Sequence, residues 1–329
     1  MVSQDLSWVG LEVGDYKIDQ KLGEGIFSSV YRGVHLKTAQ QKAFKVAKPQ
    51  DLVSKRQAKD CLSTRVIAQI TGGTMDVLPD AAKLLRTQHA QLSMVSQSGW
   101  IKVDRLVDQP GLTYYEMELV EGETLRQLMI RQSITVDKTI EIARSLDKLS
   151  KSESLRYHGD IKPENILVTK SGITIIDPGY FGRLDLVNGS NLPNCAITTV
   201  AYYPALEPDD LLAFGLMLWE VVLGIQPTAK TSFSQESDLS RIGGNLLEMV
   251  RLQEMVGKYF LSNILNVPLP SSVHPGIGAD LENLLLKSIR LKVNMSGQID
   301  LDPGFRSFGA IAGALAALRL KGTEQFLAK

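Results

Sequence analysis

Apolar and polar positions alternate with a period of two over the first part of the chain, which predicts strands. Tyr16-Lys17-Ile18 leads into one strand and Val30-Tyr31-Arg32-Gly33-Val34 into a second, around a glycine turn within residues 14–35. Gln41-Lys42-Ala43-Phe44-Lys45-Val46-Ala47 gives a third, and 100–103 and 113–120 give two more. Helical spacing intervenes at Leu52, Ala58, Leu62, Val66, Ile67 and Ile70, ended by Thr71-Gly72-Gly73. Another helix is predicted to begin near Pro79-Asp80 and to run through Leu84 and Leu85 towards His89. Beyond residue 124 the period is helical almost throughout. Leu125, Leu128 and Met129 open one helix, and Ile140, Ile142, Ala143, Leu146 and Leu149 mark another over 134–149. The apolar run from Leu211 to Val222 carries a single charge, Glu220, and is too short to cross a bilayer. It predicts a buried helix. Helices over 246–261, 281–291 and 307–320 complete the pattern, and the Gly, Asn and Pro residues of 182–194 predict a loop.

The 329 residues fit one large two-lobed domain or two average ones, and 44% hydrophobic residues can fill a sizeable core. Lys+Arg and Asp+Glu number 36 each, so no basic excess points to nucleic acid and no acidic tail is present. Cys61 and Cys195 are far apart and belong to no CxxC pair. They argue against a disulfide framework or a zinc site and for a reducing, cytoplasmic setting. Residues 1–6 lack the basic and apolar regions of a signal peptide, and no membrane partner is expected.

The chemistry concentrates in Tyr157-His158-Gly159-Asp160-Ile161-Lys162-Pro163-Glu164-Asn165-Ile166-Leu167-Val168. A second aspartate, Asp177, closes the apolar stretch Ile173-Thr174-Ile175-Ile176 and precedes Pro178-Gly179. Phosphoryl transfer needs such a set: a carboxylate to orient the attacking hydroxyl, a cation for the moving phosphate, and oxygen ligands for Mg²⁺. Upstream, Gly23 and Gly25 would let a backbone pass close over phosphates, although two glycines also suit an ordinary hairpin turn. Lys45 also has a plain reading, a solvated strand lysine such as neighbouring Lys42 or Lys48.

Taken in order, these motifs resemble those of eukaryotic-like serine/threonine protein kinases. The resemblance covers roughly residues 14–320 and implies an α+β, bilobal protein-kinase fold. A strand-rich N-lobe would span about 14–117, a hinge 118–123 and a helical C-lobe 124–320, with a lead-in at 1–13 and a tail at 321–329. The catalytic loop reads HGD where the family has HRD, and the metal-binding turn reads DPG for DFG. The resemblance assigns Asp160, Lys162 and Lys45 to catalysis, with Asn165 and Asp177 as Mg²⁺ ligands. It assigns ATP to Gly23, Glu24, Gly25, Ile26, Phe27, Ser28 and Val30 of the glycine-rich loop, to Ala43 and Lys45, and to Leu167. In the hinge it places Met117 behind adenine, the main chain of Glu118 and Val120 along its edge, and Thr124 near the ribose. Met117 also reads as plain core. His158 would support the loop without moving a proton, and Asp210 would brace it.

Three departures stand out. No glutamate occurs between Lys45 and Tyr115, so Asp80 either takes the part of the family's helix glutamate or merely caps the helix. The Ala-Pro-Glu triplet is absent after Thr198-Thr199, which leaves Glu207 as the candidate partner for Arg306. The helix at 50–70 looks like an insertion. The implied activity is ATP- and Mg²⁺-dependent phosphorylation of a protein hydroxyl. A pseudokinase binding module and a small-molecule kinase of the aminoglycoside or choline type are the alternatives, and Lys162-Pro163-Glu164 speaks against the latter.

Overall fold

The structure, a computed structural model, describes residues 7–49, 80–95, 99–151, 157–185, 191–197, 202, 209–225 and 267–320. In chain order its elements are β1 (Glu12–Val13), β2 (Tyr16–Glu24), β3 (Ser28–His35), β4 (Gln41–Ala47), α1 (Ala81–Ser93), β5 (Val103–Gln109), β6 (Leu112–Glu118) and β7 (Gly122–Thr124). There follow α2 (Leu125–Ile130), α3 (Val136–Ser150), a 3₁₀ turn (Pro163–Asn165), β8 (Ile166–Thr169), β9 (Gly172–Ile175), β10 (Tyr180–Asp185) and β11 (Asn191–Ile197). Last come α4 (Asp210–Leu223), α5 (Pro270–Val273), α6 (Ala279–Ser288), β12 (Leu291–Val293), β13 (Ile299–Leu301) and α7 (Phe308–Leu320). The helices predicted over 50–70 and 246–261, with Thr198, Thr199, Glu207 and Cys61, lie outside the described residues. Among the described residues no helix is long and apolar enough to cross a membrane.

The chain divides into two compact units, 1–121 with 179–197, and 122–178 with 198–329. The first unit is built on a six-stranded sheet in the order β1-β2-β3-β4-β6-β5, antiparallel at every pairing. Alternation puts Tyr16, Ile18, Tyr31, Phe44, Val46 and Tyr114 in one apolar cluster. Trp8 closes that cluster, stacked on Tyr31 at 6.1 Å and edge-on to Tyr114 at 5.6 Å between ring centroids. Lys45 lies between Phe44 and Val46 in sequence, so it points to the opposite face, where it is buried.

Two expectations change here. The strand predicted from Trp100 begins at Val103, and Trp100 itself is held in an isolated bridge. The loop predicted over 182–194 is largely strand, because β10 and β11 pair antiparallel from Tyr180↔Ile197 to Asp185↔Asn191. Pro193 falls between the pairs Gly182↔Cys195 and Leu184↔Leu192, where the register shifts, and an irregularity of this kind is a place where a strand accepts proline.

The second unit is mainly helical. Its centre is α4, buried nearly all round as its apolar sequence requires, with Glu220 the one charge within 211–222. Full burial of Phe214 alone is worth about 1.5–3 kcal/mol. Asp209 caps the helix by accepting from Leu212 N–H at 2.9 Å, and Gly224 ends it in the left-handed region. Helix α6 crosses α4 at Gly215, where a Cβ would sit 2.1 Å from the Ser288 carbonyl oxygen. Helix α7 packs on α3, and Gly309 N–H donates to Asp147 Oδ1 at 2.8 Å. The short sheet β7-β8-β9 carries the segment between its 3₁₀ turn and Asp177.

Candidate active site

The loop from His158 to Asn165 connects α3 to β8, and its shape is fixed from both sides by hydrogen bonds. On one side the Asp210 carboxylate, in the first turn of α4, accepts His158 N–H at 2.6 Å on Oδ2 and Gly159 N–H at 2.8 Å on Oδ1. Gly159 has φ +78°, a region that side chains rarely enter, which accounts for glycine at this place. On the other side the His158 ring is buried. Its Nδ1 accepts Asp160 N–H at 3.1 Å, so the proton is on Nε2, which lies 2.9 Å from the Ile176 carbonyl oxygen. Burial pushes this imidazole below its usual pKa and keeps it neutral. His158 is a strut between the loop and the stretch leading to Asp177.

Asp160, Lys162 and Asn165 come together as the spacing suggests. Lys162 Nζ donates to Asp160 Oδ2 at 2.7 Å. Burial works against the lysine's charge, but the Asp160, Asp177 and Glu164 carboxylates outweigh it and raise the pKa. Asn165 Nδ2 donates to the Asp160 carbonyl oxygen at 2.8 Å, to Asp160 Oδ2 at 2.9 Å and to the Asp177 carbonyl oxygen at 3.2 Å. All three partners are acceptors, so the amide can be oriented in only one way. Its Oδ1 is turned away from them, a hard oxygen suited to Mg²⁺. Asn165 also accepts Ile176 N–H on its main-chain oxygen at 3.0 Å, which tethers the approach to Asp177.

Asp177 has φ +53°, costly for a residue with a side chain. The following Pro178 further disfavours helical conformations at this residue. Strain of this kind costs about 1–3 kcal/mol and persists where neighbours over-determine the geometry. Here the bonds from His158 and Asn165 do so. Asn165 Oδ1 and the Asp177 carboxylate thus make a chemically suitable donor pair for Mg²⁺.

In the first unit Gly23 pairs with Val30 near the end of β2, and in the β2–β3 turn Gly25 N–H donates to the Ser28 carbonyl oxygen at 2.8 Å. Ile26, Phe27 and Ala47 pack against Ala81 of α1. Glu24 bridges Lys21 at 2.7 Å and Lys48 at 2.6 Å, and these lysines lower its pKa to about 2. Val30 faces Lys45 across the β3–β4 pair, while Ala43 faces Met117 across β4–β6. Met117 is buried. Glu118 N–H is committed to the Lys102 carbonyl oxygen at 3.0 Å. Asp80 caps α1, accepting Ala82 N–H at 2.9 Å and Lys83 N–H at 3.2 Å, with Arg86 3.8 Å away. Of the two readings of Asp80, the cap is the one observed.

In the second unit Thr124 forms a capping box with Gln127 at the start of α2, and Leu167 lies in β8 opposite Thr124. One group of residues was missed by the sequence reading. Arg126 donates from Nε to Glu164 Oε1 at 2.7 Å, from Nη1 to Glu220 Oε1 at 2.6 Å and from Nη2 to the Tyr202 hydroxyl at 2.8 Å. Tyr202 in turn donates to Glu220. Burial opposes the charge on Arg126, but its hydrogen bonds to the Glu220 and Glu164 carboxylates outweigh it and raise its pKa. The signal was Glu220, the lone charge of the apolar run 211–222, which must find a partner.

A family model described as a protein kinase domain matches residues 16–275. Serine/threonine-protein kinase PKH3 of Eremothecium gossypii is 25% identical over 229 residues, covering 65% of this chain and 29% of that protein. A probable serine/threonine-protein kinase of Clostridium perfringens, CPE1738, is 24% identical over 163 residues, covering 45% of this chain and 23% of the relative. The chain therefore spans less than a third of the length of these curated relatives. Among solved structures, the Mycobacterium tuberculosis PknI kinase domain superposes with a TM-score of 0.51 at 17% identity, covering 94% of this chain and 98% of that one. The apo form of PpkA-294 gives 0.51 at 15% identity, covering 93% and 98%. These likenesses show a common fold.

Proposed function

Because the chain belongs to the protein kinase family, we propose that it is a serine/threonine protein kinase, moving the γ-phosphoryl group of Mg-ATP to a protein hydroxyl. The observation that carries this reading is the set Asp160, Lys162 and Asn165, in which Asp160 accepts from both of the others and Asn165 also donates to the Asp177 carbonyl oxygen. Asp160 Oδ2 is fixed by Lys162 and Asn165, which sets the plane of the carboxylate. Its Oδ1 is the atom assigned to orient the substrate hydroxyl and take its proton as the oxygen attacks the γ-phosphorus. The bond from that phosphorus to the β–γ bridging oxygen breaks, and ADP leaves with the electron pair. Lys162 would offset charge on the γ-phosphoryl oxygens. Lys45 would hold the α- and β-phosphates beneath the main chain of residues 23–28, and Met117, Glu118 and Val120 would border the adenine. Asn165 and Asp177 would hold Mg²⁺, which when bound neutralises charge on the β- and γ-phosphates.

Lys162, two residues after Asp160, is the feature that favours serine or threonine over tyrosine as acceptor, by analogy with the family. A second reading, a nucleotide-binding module without turnover, draws on Asp80, whose carboxylate is engaged in the helix cap. Transfer of radiolabel from γ-labelled ATP to a generic protein substrate, compared with Asp160→Asn, tests the choice. Label in protein that Asp160→Asn nearly abolishes, with nucleotide binding retained, is the expected result. Nucleotide binding without transfer would favour the second reading, and label in small molecules alone would point to the aminoglycoside or choline type.

A further inference from the structure

Helix α4 holds the catalytic loop from two of its residues, one directly and one through Arg126. Near its start, Asp210 holds the main chain of His158 and Gly159 directly. Ten residues further on, buried Glu220 holds Arg126, and Arg126 holds Glu164, the residue before Asn165. The 3₁₀ turn Pro163–Asn165 is thus clamped from the outside by Arg126 and from the inside by the Asn165 amide. A guanidinium suits this task. Its planar fork donates in three directions at once, here to a carboxylate on the loop, a carboxylate on α4 and the hydroxyl of Tyr202. A buried pair of this kind is a poor source of net stability, since desolvation offsets the attraction, but it fixes geometry.

We propose that Arg126 is a positioning residue which, through its hydrogen bond to Glu164, sets the place of Asn165 Oδ1 for the metal ion. This rests on the reading of Asn165 and Asp177 as Mg²⁺ ligands given above. Arg126 is bonded to Glu164, Glu220 and Tyr202, none of which is an assigned metal ligand. Its effect passes through one turn of backbone whose other contacts are already fixed.

Truncating Arg126 would strand Glu220 in the core and endanger folding, so the test uses Glu164, which is 46% exposed. Glu164→Ala detaches the turn and leaves the Arg126–Glu220–Tyr202 bonds in place. Glu164→Gln keeps an acceptor for Arg126 Nε but removes the charge. Binding of ADP is measured by calorimetry across a Mg²⁺ titration, alongside melting curves. In Glu164→Ala the Mg²⁺ concentration for half-saturation should rise about tenfold, the lower end of what loss of a group supporting a metal ligand costs. Metal-free ADP affinity and the melting curve should stay as in the wild type, and Glu164→Gln should restore most of the loss. An unchanged half-saturation in Glu164→Ala would overturn the proposal. So would equal impairment of the Gln and Ala variants, which would assign the effect to charge, or an equal loss of metal-free affinity. Wild-type binding of Mg-ADP without phosphoryl transfer would defeat the kinase reading alone. Wild-type ADP binding indifferent to Mg²⁺ would defeat the metal reading, and this proposal with it.

Discussion

Asp210 offers the sharpest test of how the fold supports the site. Its two carboxylate oxygens accept two main-chain N–H groups of the catalytic loop, at 2.6 and 2.8 Å. His158, the first donor, is only 5% exposed, so its N–H cannot turn to water. A hydrogen bond to a charged acceptor contributes about 1.5–3 kcal/mol. Asp210→Ala removes both, and partial hydration of Gly159 recovers some of the loss, which leaves about 3–5 kcal/mol. That is a large share of a stability of about 5–15 kcal/mol, so the alanine variant should be barely folded. Asp210→Asn keeps one acceptor and sets an NH₂ against the second donor, for a loss of about 2 kcal/mol. The asparagine variant should remain folded with the loop displaced, and a displacement near 1 Å can cost about 10²-fold in rate. Urea unfolding followed by tryptophan emission gives the stability, and phosphoryl transfer well below the melting temperature gives kcat. An asparagine variant within about 0.5 kcal/mol of wild type, with wild-type kcat, would refute the reasoning, since neither bond would then matter.

Three further outcomes follow from the same geometry. Asp177→Ala should weaken Mg-nucleotide binding while sparing metal-free binding, since the carboxylate is assigned to act through the ion; calorimetry showing equal losses would sink that role. Gly215→Ala should destabilise by about 1–3 kcal/mol or more, because the new Cβ would meet main-chain oxygen that no rotamer change can move; an unshifted urea midpoint would contradict the close crossing of α4 and α6. By the resemblance of its loop to the family's, Gly159 would stand where that family has arginine, so a phosphate on Thr198 or Thr199 would lack its usual guanidinium partner. Phosphatase treatment of the wild type should therefore leave most of the rate intact, and an ATP-restorable collapse would count against this.

The order of the motifs and the type of most described elements were legible in the sequence, because local periods and short spacings carry them. The alternation of 41–47 is strand, the run 211–222 is buried helix, and Asp160, Lys162 and Asn165 are close in space because they are close in the chain. What the sequence left open were questions of partnership over long separations. An aspartate before a helix can cap it or pair elsewhere, and only the folded chain shows the Asp80 oxygen on Ala82 and Lys83 N–H. The residues 182–194 look like a loop by composition, yet strand pairing is decided by the partner strand, and Tyr180–Asp185 and Asn191–Ile197 supply it to each other. Glu220 announced by its burial that a cation must be near. That the cation is Arg126, 94 residues earlier, could be settled only by the packing of α2, the catalytic loop and α4, since a buried charge demands a partner without specifying where in the chain it lies.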